Sequence, residues 1–225
     1  MFSLIKLFLR LFLPFRKSFT RCVEAYNYPS FIFDYKAYVF FKIFGKKLYW
    51  PHAKSCLISN ERLIYVGRNA VVGKPFCYIQ GGGMVYIGHY TQLGPNVGII
   101  STNHDTYDQR KAIKKNIIIG DYSWIGMGAV ITAGVELGPR TIVGANSTVT
   151  KSFPDGYCII AGSPAKLIRK LTKEEITHYH NSNEYYGYLT PAEFNEKKKN
   201  YLSTNCITWG KCLEQKFGDM IKDYE

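Results

Sequence analysis

A three-sided parallel β-helix with helical segments packed against it is the fold class that the sequence predicts, on three observations. The first is a period of six: aliphatic residues recur at Ile119, Ile125, Ile131, Leu137, Val143 and Val149. The second is the company they keep. Gly120, Gly126, Thr132, Gly138 and Gly144 follow directly, and the small or β-branched Ser123, Ala129, Val135, Thr141 and Ser147 stand four residues after each aliphatic. The third is an upstream copy of the pattern, in Val66-Gly67 with Ala70, Val72-Gly73, Ile87-Gly88 with Thr91, Leu93-Gly94 with Val97, and Ile99. Short fixed periods mark solenoids. A turn every six residues lets each face send one aliphatic and one small side chain inward, and three faces make a coil of about 18 residues. Stacked coils pair in parallel about 4.8 Å apart and bury a continuous aliphatic column.

Taken in order, the chain divides into residues 1–48, a basic, apolar and aromatic helical region, residues 49–171, the β-helix, and residues 172–225, a helical extension. In Met1–Phe15, Ser3, Lys6 and Arg10 fall on one side of a helix whose remaining surface is Leu and Phe. That stretch is shorter than the roughly 20 apolar residues that span a bilayer. It suits either an interfacial helix on an anionic membrane, aided by Arg16, Lys17 and Arg21, or a cap over the open end of the solenoid. The phase slips across Pro75–Gly83 and breaks again between Ile99 and Ile119, so residues 101–115 leave the wall as a polar loop, where chemistry is most often carried. Thr172 with Glu175, and Thr190-Pro191 with Glu193, are capping boxes that open two or three short helices in the extension.

A formal charge of +12, with nine Lys/Arg against Glu24 and Asp34 in the first 47 residues, points to an anionic partner. No nucleic-acid motif accompanies it, and the basic residues sit among Leu and Phe, so nucleic acid is not expected. Six cysteines show neither zinc spacing nor a disulfide framework, and suit reduced thiols in the cytoplasm.

Two further stretches carry a resemblance. Asn103-His104 stands in the polar loop just before the best coils, and Val149-Thr150-Lys151 is followed by Ala161-Gly162-Ser163-Pro164-Ala165-Lys166-Leu167-Ile168-Arg169. Together with the repeat they resemble the hexapeptide-repeat acyltransferases, over roughly residues 60–171. The resemblance implies a left-handed prism, a homotrimer with each active site between two prisms, and acetyl-CoA as co-substrate with no metal. It makes His104 the general base, with Asn103 and Asp105 near the acceptor. It places Trp124, Gly126 and Ala145 along the pantetheine arm, and Thr150, Lys151, Lys166 and Arg169 toward the adenosine end.

The chemistry fits those residue types. An alcohol becomes a competent nucleophile as its proton is removed, and histidine, ordinarily titrating near 6.5, does this at neutral pH for about 10²- to 10⁴-fold. A carbonyl or an acid should hold the other ring nitrogen; Asp105 and Asp108 are both near enough in sequence. Small residues admit a ligand close to the backbone, and Lys or Arg pair with phosphate. No cysteine is placed as an acyl carrier, so transfer should be direct. The expected acceptor is a sugar hydroxyl of a bacterial surface polysaccharide or its precursor, which the apolar basic terminus, residues 1–20, would meet at the inner membrane. The alternatives are N-acetylation of a nucleotide-linked amino sugar, acetylation of a small metabolite, and a scaffold without catalysis. A zinc anhydrase of the same fold would need clustered histidines, whereas His89 and His104 stand apart.

Overall fold

The computed structural model describes residues 48–176 and 189–222. The expected amino-terminal helix therefore lies outside the described residues, as do His178 and His180.

Three sheets form the sides of a prism. Face I stacks β1 (Leu57–Ser59), β3 (Tyr78–Gln80), β6 (Gly98–Ile100), β11 (Val130–Thr132) and β14 (Thr148–Val149). Face II stacks β2 (Ile64–Val66), β4 (Val85–Ile87), β9 (Ile117–Ile119) and β12 (Glu136–Leu137). Face III stacks β5 (Gln92–Leu93), β10 (Trp124–Ile125), β13 (Thr141–Val143) and β15 (Cys158–Gly162), and is closed by β16 (Ala165–Lys170), which turns back antiparallel on β15. Every other pairing within these faces is parallel.

The period of six deals its aliphatics to the faces in rotation. Ile119, Ile125 and Ile131 point inward from faces II, III and I, and Leu137, Val143 and Val149 repeat the order one coil later. Each sits in register on its predecessor: Ile87, Ile119 and Leu137 on face II, Leu93, Ile125 and Val143 on face III, Ile79, Ile99, Ile131 and Val149 on face I. All are buried, and with them the small residues four places on. Those that carry hydroxyls use them at the corners: Thr141 Oγ1 donates to Gly138 O at 2.8 Å, and the Thr141 N–H donates to Ser123 Oγ at 3.3 Å. A hydroxyl there satisfies backbone groups that the bend removes from the ladder.

The repeat is broken chiefly at one corner. From face I to face II, six residues separate Ile131 from Leu137, eight separate Ile79 from Ile87, and twenty separate Ile99 from Ile119. The long insertion is more ordered than a loop. Residues 101–115 form a hairpin of β7 (Thr102–His104) and β8 (Ala112–Lys114), which pairs Asn103 with Ile113 and His104 with Ala112.

Carboxy-terminal to the prism, both capping boxes form. Thr172 and Glu175 exchange bonds around a single 3-10 turn (Glu174–Ile176), and Thr190 with Glu193 caps α1 (Pro191–Tyr201). The last helix, α2 (Thr204–Lys222), is longer than the short helices expected, and it climbs the outside of face II. Gly210 lies against the Tyr65 ring, where any Cβ would overlap the ring. Trp209 and Phe217 pack on Tyr86, with ring centroids 6.3 and 5.7 Å away, and Lys216 reaches Glu136 at 2.5 Å. The outward tyrosines of face II, Tyr65 and Tyr86, are thus buried by the chain's own helix. Among the described residues no helix is long and apolar enough to cross a membrane.

Candidate active site

The hairpin holds its histidine by main-chain chemistry. At its base, the Lys115 N–H donates to Ser101 O at 3.0 Å, and the buried Ser101 hydroxyl donates to Gln80 O at 2.5 Å while accepting from the Gly83 N–H at 3.0 Å. At its tip, Asp105 Oδ1 accepts from the Tyr107 and Asp108 N–H groups at 2.8 and 3.0 Å, closing an Asx turn. Asp108 in turn takes Arg110 Nε at 2.9 Å and Nη2 at 3.2 Å, and the guanidinium holds its carboxyl below the usual carboxylate range. Neither acid touches the imidazole. His104 Nδ1 instead meets Gln109 O at 2.5 Å. A carbonyl can only accept, so Nδ1 carries a proton, and in the neutral form of this exposed ring the lone pair is left to Nε2. Of the two kinds of partner the sequence left open, the structure selects the backbone carbonyl. Asn103 is exposed beside it on the same strand.

The other expected site residues sort by corner. Gly126 and Ala145 lie one above the other where face III bends into face I: a Cβ on Gly126 would stand 2.6 Å from Ala145 N and 2.7 Å from Val143 O. The repeat keeps this corner narrow because nothing larger fits between coils. Trp124, two residues before, projects from face III with 57% of its surface exposed. The β15–β16 turn caps the same corner, with the Gly162 N–H donating to Ser147 Oγ at 3.0 Å and Ser163 Oγ to Thr148 Oγ1 at 3.0 Å. Lys166, exposed, follows at the start of β16. Met127 is exposed at this corner too.

Thr150 and Lys151 fall past β14, at the next corner round, above the hairpin rather than beside Gly126. Arg169 is engaged elsewhere: both its terminal nitrogens meet Glu175 carboxylate oxygens at 2.6 Å, and that pairing lowers the Glu175 carboxyl to about 2. A guanidinium in a two-bond fork with a carboxylate has to give up that fork to take a phosphate. His89 is structural. Its Nδ1 accepts from the Arg68 N–H at 2.9 Å, and its Nε2 lies 3.4 Å from Glu214. Among the described residues no group of three His, Cys, Asp or Glu side chains is placed to hold a metal ion.

Sequence reasoning named the two kinds of group that could orient His104 but not the residue that supplies it. The Gln109 carbonyl has no side-chain signature, since any residue supplies one. Ser101 did leave a faint signal, a polar residue at the first step out of an aliphatic strand.

Comparison with known proteins places these features in a lineage. Residues 116–151 match the model described as bacterial transferase hexapeptide (six repeats). The galactoside O-acetyltransferase of Escherichia coli (strain K12) is 32% identical over an alignment of 148 residues, gaps included, that covers 54% of this chain and 71% of that protein. A putative lipopolysaccharide biosynthesis O-acetyl transferase of the same organism is 32% identical over 103 residues, 40% of this chain and 52% of its own. Among solved structures, a galactoside acetyltransferase in complex with coenzyme A superposes with a TM-score of 0.53 at 26% identity, over 75% of this chain and 84% of the other. The chain spans only 47–59% of the length of several other curated relatives that it matches.

Proposed function

Because the chain belongs to the hexapeptide-repeat acetyltransferase family, we propose that it transfers an acetyl group from acetyl-CoA to a sugar hydroxyl by direct general-base catalysis. The observation that carries this is the His104–Gln109 contact, which leaves Nε2 as a free base on an exposed, braced hairpin. In the reaction, Nε2 takes the proton of the acceptor hydroxyl as its oxygen bonds to the thioester carbonyl carbon. The carbon–sulfur bond then breaks, and the departing thiolate takes that proton from the imidazolium. Charge is never carried beyond one step, and neither a metal nor an acyl-enzyme is required.

Coenzyme A would run along the corner of Gly126 and Ala145, with Trp124 beside the arm and Lys166 toward its phosphates, while Thr150 and Lys151, at the hairpin's corner, would reach those phosphates only from a neighbouring subunit. Arg169 would join only if it left Glu175. That corner and the hairpin stand at opposite edges of face I, so one prism does not bring them together. A homotrimer in which the hairpin of one subunit reaches the groove of the next would complete the site, and each copy would contribute to two of them.

The acceptor we favour is a hydroxyl of a surface polysaccharide or its precursor in the cytoplasm, with residues 1–20 bringing the enzyme to the inner membrane. The likeness to a lipopolysaccharide-biosynthesis relative supports that context. Measuring free thiol released from acetyl-CoA against a panel of sugars and oligosaccharides tests the activity. Acceptor-dependent release is expected; failure of every sugar, with release on an amine instead, would overturn the hydroxyl assignment.

A further inference from the structure

A second concavity lies on the far side of face II from the hairpin. It has a volume of about 740 Å³ and is enclosed by the prism on one side, through Tyr65, Arg68 and His89, and by α1 and α2 on the other. Four of its lining side chains are cationic, Arg68, Lys198, Lys199 and Lys211, against one carboxylate, Glu214. Glu214 is already committed. Lys198 Nζ lies 3.2 Å from it and 3.6 Å above the Tyr65 ring, and His89 Nε2 approaches from the prism. Although burial pushes the Glu214 carboxyl up, Lys198 and His89 hold it below its usual range.

Lys199 on α1 and Lys211 on α2 face the same space, and the lining supplies no second carboxylate for either. The crowding is felt: beyond burial, the charge on Lys211 adds to what lowers the Lys198 ammonium. Like charges brought together by two helices raise the free energy of the empty site, and a bound anion relieves it. Phe194 and Ile207 supply apolar wall, and the volume far exceeds that of a lone inorganic ion.

We propose that this concavity is a second ligand site, for a phosphorylated small molecule that carries two or three negative charges on an organic body, of which a nucleoside diphosphate is the simplest probe. Its phosphates would bridge Lys199 and Lys211 between the two helices, with Arg68 at the prism side, and its base would lie against Phe194 and Ile207. Occupancy would clamp the helical extension onto face II. The site stands apart from the candidate acetyl-transfer residues, so it holds or fails independently of that activity.

The test is calorimetric titration of the full chain with ADP, UDP, pyrophosphate and inorganic phosphate at low salt, alongside thermal unfolding. Saturable binding of the diphosphates is expected, weakening as salt rises and raising the unfolding temperature. Each charge-assisted contact is worth about tenfold in affinity, so Lys199→Ala with Lys211→Ala should weaken binding by about a hundredfold. Both side chains are exposed, so the variant should unfold at the unliganded wild-type temperature and turn over acetyl-CoA as the wild type does. Lys199→Arg with Lys211→Arg should restore binding. No saturable binding, binding that the alanine pair leaves unchanged, or binding that acetyl-CoA abolishes by competition would each overturn the second site.

Discussion

Two corners of one prism are built by opposite means. Where face III turns into face I, the repeat is kept, and its small residues, Gly126 and Ala145, stack so closely that the backbone itself becomes the surface. Where face I turns into face II, the repeat is abandoned for twenty residues between Ile99 and Ile119, and the excess folds on its own hydrogen bonds into a hairpin. A regular corner can hold an extended ligand but can offer little chemistry, because the residues that stack from coil to coil there, Gly126 and Ala145, carry no functional group. The irregular corner is free to project polar groups, and it must then supply its own rigidity. It does so through Ser101 at the base and Asp105 and Asp108 at the tip.

The largest expected effect strikes the irregular corner at its proposed base. His104→Ala should reduce kcat about 10²- to 10⁴-fold while leaving acetyl-CoA affinity and unfolding temperature near the wild type. Undiminished turnover would remove His104 from the base role. At the regular corner the damage should be structural instead. Gly126→Val drives side-chain atoms into Ala145 N and Val143 O, and should cost about 3 kcal/mol of stability, read as a lower midpoint in urea. An unchanged midpoint would mean that the coils can spread, and that the groove is not held narrow by packing.

These two outcomes also bear on how much the sequence disclosed. The period of six located the inward aliphatic and small residues from Ile119 to Val149, and the break in it located the insertion that folds as the hairpin, because burial enforces the period and exposure releases it. The orientation of His104 was not legible. It depends on which carbonyl the turn presents, and Asp105 and Asp108, the side chains in view, are spent on the turn itself. Nor was the fate of Arg169, since Glu175 reaches it only after the chain has turned into the next segment.

The third corner, between faces II and III, sharpens the comparison through pH. There Asp121 is kept in the repeat and buried, accepting from the His89 N–H at 3.0 Å and the Tyr86 hydroxyl at 3.3 Å. Burial pushes its carboxyl up to about 7. An acid raised in the folded state keeps its proton there while the unfolded chain has released its own, so the folded state binds more protons between about pH 4 and pH 7. Stability should therefore be greatest at the acid end of that window, fall by on the order of 2–4 kcal/mol as pH rises to about 7, and level off above. Asp121→Asn keeps an acceptor without the charge, and should flatten unfolding temperature across pH 5 to 8. An equally steep profile in the variant would locate the dependence elsewhere.

The smallest expected effect returns to the hairpin tip. Asp105→Ala removes the acceptor for two backbone N–H groups in an exposed turn, worth about 1 kcal/mol locally. Global unfolding should barely move, but the Gln109 carbonyl would no longer be held beneath His104, so kcat should fall severalfold with little change in the acetyl-CoA KM. A change confined to KM would show that Asp105 contacts substrate rather than positions the base.

By itself, the sequence determined the prism, because a side chain that must be buried once per face imposes a period that no other packing satisfies. It also determined where the wall would open, since polar residues cannot replace those aliphatics inside it. Only the tertiary structure decided what the opening and the extension became. A main-chain carbonyl selects the histidine tautomer, one helix covers the tyrosines of face II, and two lysines from separate helices come to share a cavity. Each of these joins groups whose identity or distance along the chain leaves no periodic trace, and so each waits on the chain being folded.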